Sequence, residues 1–176
     1  MAQIDRKGFG QVEPNHLSAQ KTGQIYAQLP ATGITQLEQG QFLKYNYAEG
    51  KAATTGDGEW MLVYVEEKHY DPRKPMHKDF CLKASDFTDK TIVPRLLKTN
   101  VGDIYTTNTF AKNATSDEDA VTGPDLAVKD YLTVGADGFL AKVAGGAKPD
   151  DGMVWQVVKV YTMPDGQPGV KIQRIQ

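Results

Sequence analysis

The residues best suited to chemistry lie in and just after one stretch, "KHYDPRKPMHKDF", where His69, His77 and Cys81 follow an H-x7-H-x3-C spacing. A cysteine nucleophile needs a base within hydrogen-bond reach and a third group that orients the base. In a strand, His77 and Cys81 would share a face but stand about 13 Å apart at roughly 3.3 Å per residue, so pairing would require a helical turn. Zinc could use the same three side chains. However, there is no Cys-x-x-Cys knuckle, and a fourth ligand would have to be Asp71 or Asp79. The stretch reads instead as an exposed crossing loop, rich in Pro and charge, that ends in a Cys packed beside Phe80 and Leu82 where a strand opens. His69, His77 and Cys81 are the weak metal candidates, and no catalytic residue, cofactor or bound metal is assigned.

Other chemical signatures are missing. The acids Asp117, Glu118, Asp119 and Asp125 lack the alternating order and terminal Glu of a calcium loop. The sequence contains no phosphate-binding glycine loop, no nucleophile elbow and no paired-histidine zinc helix. Glu59, Glu66 and Glu67 are expected at strand ends or on a solvated face. A glycan platform would need exposed aromatics, whereas Trp60 and Trp155 stand inside apolar runs and are expected in the core. The reading is non-enzymatic.

Composition narrows the class. The 176 residues fit one domain or two small β lobes, and 40% hydrophobic against 24% charged residues is ordinary for a globular chain. Residues 1–90 carry 11 basic and 12 acidic groups and residues 91–176 carry 9 and 10, which gives −1 for each part and −2 in all. With no basic face implied, nucleic acid is not an expected partner. One Cys excludes an internal disulfide and suits a reducing cytosol. No stretch approaches 18 apolar residues and the first twenty lack a signal-peptide core, so neither a membrane nor export is expected.

The elements that must carry any site are strands. No window places apolar residues cleanly at helical spacing, so little helix is expected. Short aromatic and β-branched runs stand at 24–29, 41–47, 59–67, 91–98, 103–110, 130–134, 138–143, 153–161 and 169–175, punctuated by "TGDG", "NVGD", "GADG", "PDDG" and "PDGQPG". That pattern predicts an all-β barrel or sandwich. Residues 153–175 predict an antiparallel hairpin closed by Pro-Asp-Gly, with Trp155, Val157, Lys159 and Tyr161 on one face and Gln156 on the other.

A strand-opening phrase recurs as "GQFLKYN" (40–46), "GDIYTTN" (102–108) and "KDYLTVG" (129–135). A turn and a Trp strand follow the first and third copies, which suggests two related β units, 24–85 and 86–176, either separate or sharing one domain. Residues 1–23 have few large apolar side chains and are expected to be an extended or disordered arm that orders on a partner.

Together, "LEQGQFLKYNYAEGKA", "VGDIYTTNTF" and "KDYLTVGADGFLAKV" resemble the head decoration (capsid cement) proteins of tailed bacteriophages and the related base domains of head fibres. The resemblance covers roughly 34–65 and 100–175 and rests on turn grammar. It implies a small β-barrel or β-tulip-like domain on the outer capsid surface, made in the host cytoplasm. There it would bridge neighbouring major capsid proteins, often as a homo-oligomeric trimer. The chain departs from the simplest members in its length and its two β units, which puts trimer geometry in question. A head-fibre base, a tail component or a glycan-binding β module is the alternative.

Overall fold

The computed structural model describes residues 1–18, 25–27, 33–64, 81–85, 93–111, 120–121 and 123–176. Nearly all regular structure among the described residues is β, and the helical residues are few, among them a short 3-10 turn at Ala144–Gly146. In chain order the strands are β1 (Ala2–Gln3), β2 (Arg6–Lys7), β3 (Val12–His16), β4 (Ile25–Ala27), β5 (Gln36–Glu38), β6 (Phe42–Asn46), β7 (Lys51–Ala53), β8 (Trp60–Val63) and β9 (Cys81–Lys83). They continue as β10 (Arg95–Leu97), β11 (Ile104–Thr107), β12 (Ala120–Val121), β13 (Asp125–Leu126), β14 (Tyr131–Val134), β15 (Leu140–Lys142), β16 (Val154–Thr162) and β17 (Pro168–Arg174).

Two larger sheets face each other. One has the order β4-β10-β8-β6-β7 and the other β15-β14-β16-β17-β11-β3, while β1-β13, β2-β12 and β5-β9 are two-stranded ribbons. Period-two alternation assigns the five-stranded sheet two apolar faces. Phe42, Leu62 and Leu97 point into the main core against Tyr105, Leu132, Trp155, Val157, Val170 and Ile172 of the other sheet. Leu43, Met61, Val63 and Leu96 point the opposite way and are covered by Leu37 and Leu82 of the β5-β9 ribbon. Trp155 is fully buried, 6.0 Å from the ring of Phe42 and 5.1 Å edge-on from that of Tyr105.

The recurring phrase has a common geometry. Each copy opens with a turn, 38–41, 100–103 and 127–130, whose third residue alone has positive φ: Gly40 at +87°, Gly102 at +98° and Lys129 at +77°. The fourth residue's N–H donates to the first residue's carbonyl, Gln41 to Glu38 at 3.1 Å, Asp103 to Asn100 at 3.0 Å and Asp130 to Ala127 at 3.1 Å. The fourth side chain then accepts from the first residue's N–H, at 3.3, 2.9 and 2.8 Å respectively. Positive φ at the third position alone is the type II pattern that selects Gly, and Lys129 occupies it at a steric cost. The first copy also meets the hairpin that follows the third: Phe42 N–H donates to Gly138 O at 2.7 Å, joining the start of β6 to the turn of the β14-β15 hairpin.

Strand pairing crosses the boundary between 24–85 and 86–176. β10 belongs to 86–176 but pairs with β4 and β8, and β3 precedes both units but pairs with β11. A shared core joins them.

The first 18 residues are extended, but their pairing is with this chain. β1 pairs with β13, β2 with β12 and β3 with β11, while Ile4, Val12 and Leu17 are buried. Polar groups fasten the segment further. Arg6 forms a buried ion pair with Glu38, and Gln11 N–H donates to Asn108 Oδ1 at 3.0 Å. Gln11 Nε2 donates to Asp165 Oδ2 at 2.6 Å, and Ser18 N–H donates to Asp103 Oδ1 at 3.0 Å. An arm that waits for a partner does not describe residues 1–18, because three strands of the segment are already paired and Ile4, Val12 and Leu17 already buried inside the fold.

The final hairpin forms with one change of face. Val157 opposes Ile172 and Lys159 opposes Lys171, so Val158 is an extra residue on β16. A bulge of this kind reverses the alternation. Lys159 and Tyr161 therefore leave the face of Trp155 and Val157 and join the outer face with Gln156.

Candidate functional site

Of the three metal candidates, His69 and His77 lie outside the described residues, as do Asp71, Asp79, Glu66, Glu67 and the acids 117–119. Cys81 is half-buried at the start of β9, opposite Glu38, with Leu82 beside it in the smaller core. Among the described residues no group of three or more His, Cys, Asp or Glu is placed to hold a metal ion.

The described surface has two adjoining clefts at one end of the five-stranded sheet, separated by Gly58 and Glu59. The first, about 510 Å³, opens between the two larger sheets and includes Lys44, Trp60, Asp151, Met153 and Arg174 in its wall. The second, about 370 Å³, lies on the opposite face of the five-stranded sheet and is lined by Tyr26, Tyr45, Tyr47, Met61, Lys98 and the same Gly58-Glu59 ridge.

Strand alternation builds both. On β6, Leu43 fills the smaller core, and Tyr45 and Tyr47, two and four residues on, continue that face past the end of the β5-β9 ribbon. Glu59 precedes Met61 and Lys98 follows Leu96 by the same period, and Tyr26 is opposite Leu96 on the edge strand. The uncovered half of an otherwise apolar face thus carries three tyrosines and one ion pair. Lys44 and Trp60 are paired across β6 and β8 on the other face, where the Lys44 ammonium lies 4.9 Å from the centre of the Trp60 ring.

The electrostatics are locally balanced. Lys98 Nζ is 2.7 Å from Glu59 Oε1. The hydrogen bond and charge of Glu59 raise the Lys98 ammonium above its ordinary range against a smaller opposing effect of burial. Burial lowers the Arg174 guanidinium, and the charges of Glu59 and Asp103 partly offset this. Arg174 is anchored by its Nη1, which donates to both the carbonyl and the hydroxyl oxygen of Thr99.

Tyr47 is 72% exposed and Tyr26 43% exposed, and Tyr45 and Tyr47 meet edge-to-face with centroids 5.0 Å apart. Trp155 takes its expected place in the core. Trp60, expected there too, packs against the core with one side and lines the first cleft with the other. The sequence signal that could have found the site is the alternation of Tyr45 and Tyr47 beyond the last aliphatic residue of their strand.

No known protein family, curated protein or solved structure matches the chain.

Proposed function

We propose that the chain is a structural virion protein that decorates the outer surface of a tailed-phage capsid and stabilises contacts between neighbouring major capsid proteins. The observation that carries this reading is the repeated strand-opening turn. The phrases on which the resemblance rests share φ sign, backbone bond and side-chain bond in all three copies, so their likeness to one another within this chain is one of geometry as well as wording, which supports reading them together. An acidic balance of 22 Asp and Glu against 20 Lys and Arg suits the outside of a shell better than the side that faces DNA.

In this reading the protein is made in the host cytoplasm, binds the assembled shell and acts without catalysis. Each bound copy stabilises the assembled over the disassembled state by mass action, and a lattice of copies multiplies the effect. With residues 1–18 engaged in the fold, this reading assigns the capsid contact and any trimer contact to the body of the domain instead of a free arm. The test is co-sedimentation with intact, DNA-filled particles and a calibrated copy number per particle. Occupancy at the level of the capsid lattice is the expected outcome, and absence from the particles would refute the proposal.

A further inference from the structure

From the paired clefts we infer a binding site for a neutral oligosaccharide, a role that needs no shell and stands apart from the capsid reading. The wall of the second cleft is aromatic, with Tyr26, Tyr45 and Tyr47 on one sheet face, and Trp60 turns a half-exposed ring into the adjoining one. A pyranose presents C–H groups on its faces and hydroxyls on its rim, and aromatic rings with an apolar body and a polar edge match that division. Tyr26 and Tyr45 stand on strands and Tyr47 in the turn that follows β6, and the 5.0 Å edge contact of Tyr45 and Tyr47 helps to order the pair before the ligand arrives, which limits the entropy lost on binding.

Charge selects the class of ligand. Glu59 and Lys98 neutralise each other across 2.7 Å at the boundary of the two clefts. In the second cleft an anionic or cationic ligand would have to compete with that pair, and in the first the cations Lys44 and Arg174 stand with the acids Glu59 and Asp151, two of each sign. Hydroxyl groups do not compete with the pair: they donate to the carboxylate and accept from the ammonium while the pair stays intact, each bond being charge-assisted. Volumes of about 510 and 370 Å³ each fall within the ordinary range of ligand sites, and the common ridge at Gly58 and Glu59 makes them successive subsites for a chain of linked units.

The test uses the full chain with maltotriose, cellotriose, mannotriose and chitotriose as probes and a sulfated oligosaccharide as the anionic comparison. Saturation-transfer NMR and Trp fluorescence would be read at up to about 10 mM, above the millimolar end of weak specific binding. At least one neutral trisaccharide should bind. Tyr26→Ala and Tyr47→Ala, both at exposed positions, should each weaken that binding about tenfold, the scale of a lost aromatic contact. Glu59→Gln should weaken it while leaving the melting temperature in place, and the remote Val158→Ala should bind as the parent does. Failure of all four neutral probes, preference for the sulfated one, or binding that survives both tyrosine substitutions would overturn the inference.

Discussion

Three turns with the same bonds, two with Gly and one with Lys at the third position, allow the cost of a backbone angle to be separated from the cost of crowding. Lys129 holds φ at +77°, where a Cβ costs about 1–2 kcal/mol. Glycine removes that strain but returns about 0.4–1 kcal/mol of conformational freedom to the unfolded chain. Lys129→Gly should therefore stabilise the fold by about 1 kcal/mol, since the side chain is exposed and its own N–H, which donates to Val157 O at 2.8 Å, is kept. Gly102→Ala is the converse: φ is +98° and no atom lies within 4 Å of an added Cβ, so about 1 kcal/mol of destabilisation should arise from the angle alone. At Gly40 the added Cβ would stand 2.8 Å from the Thr109 side chain, so Gly40→Ala should cost clearly more than Gly102→Ala. Urea unfolding at constant m-value reads all three. A destabilising Lys129→Gly, or equal costs at Gly40 and Gly102, would refute the assignment of a shared strained turn.

Tyr105 is fully buried, and its hydroxyl has no hydrogen-bond partner among the described residues, so Tyr105→Phe should raise stability by up to about 1–3 kcal/mol in the same urea assay; a loss would reveal a partner for the hydroxyl. Replacing Glu38 by Ala should cost about 3–5 kcal/mol by leaving the Arg6 charge buried and unpaired, whereas Arg6→Met combined with Glu38→Leu should recover most of that loss. Acid stability should depend on Asp130 and Asp165. Burial pushes both carboxyls upward, but hydrogen bonds from Lys142 and Ala127 to the first, and from Gln11 and Gln167 to the second, leave each below its ordinary value. A lowered carboxylate contributes stability that is complete above the unfolded pKa of about 3.9 and is lost as pH falls through the folded one. The unfolding midpoint should therefore drop below about pH 4, and Asp130→Asn should flatten that limb.

All nine strand runs named from the sequence contain strands of the fold, because each held enough aromatic and β-branched residues between turn signals. The first 18 residues escaped for a physical reason. Ile4, Val12 and Leu17 follow neither a two-residue nor a helical period, and much of what holds them is polar and distant in sequence. Arg6 is paired with Glu38, and Gln11 reaches Asn108 and Asp165, partners that no local window contains. Apolar content alone therefore described a loose arm, while burial and polar partners distant in sequence made three strands.

The same limit hid the clefts. Tyr45 and Tyr47 belong to a legible strand, but their exposure depends on where the β5-β9 ribbon stops covering the sheet. That ribbon pairs 36–38 with 81–83 across more than forty residues. Trp60 sits in an apolar run that predicts burial; only its cross-strand partner Lys44 and the gap between the sheets turn half of its ring outward. Sequence pattern fixes which side of a strand a residue takes, and tertiary coverage then decides whether that side is core or binding surface. Residues immediately beyond the last covered aliphatic position, such as Tyr45 after Leu43 and Lys98 after Leu96, are where the two diverge.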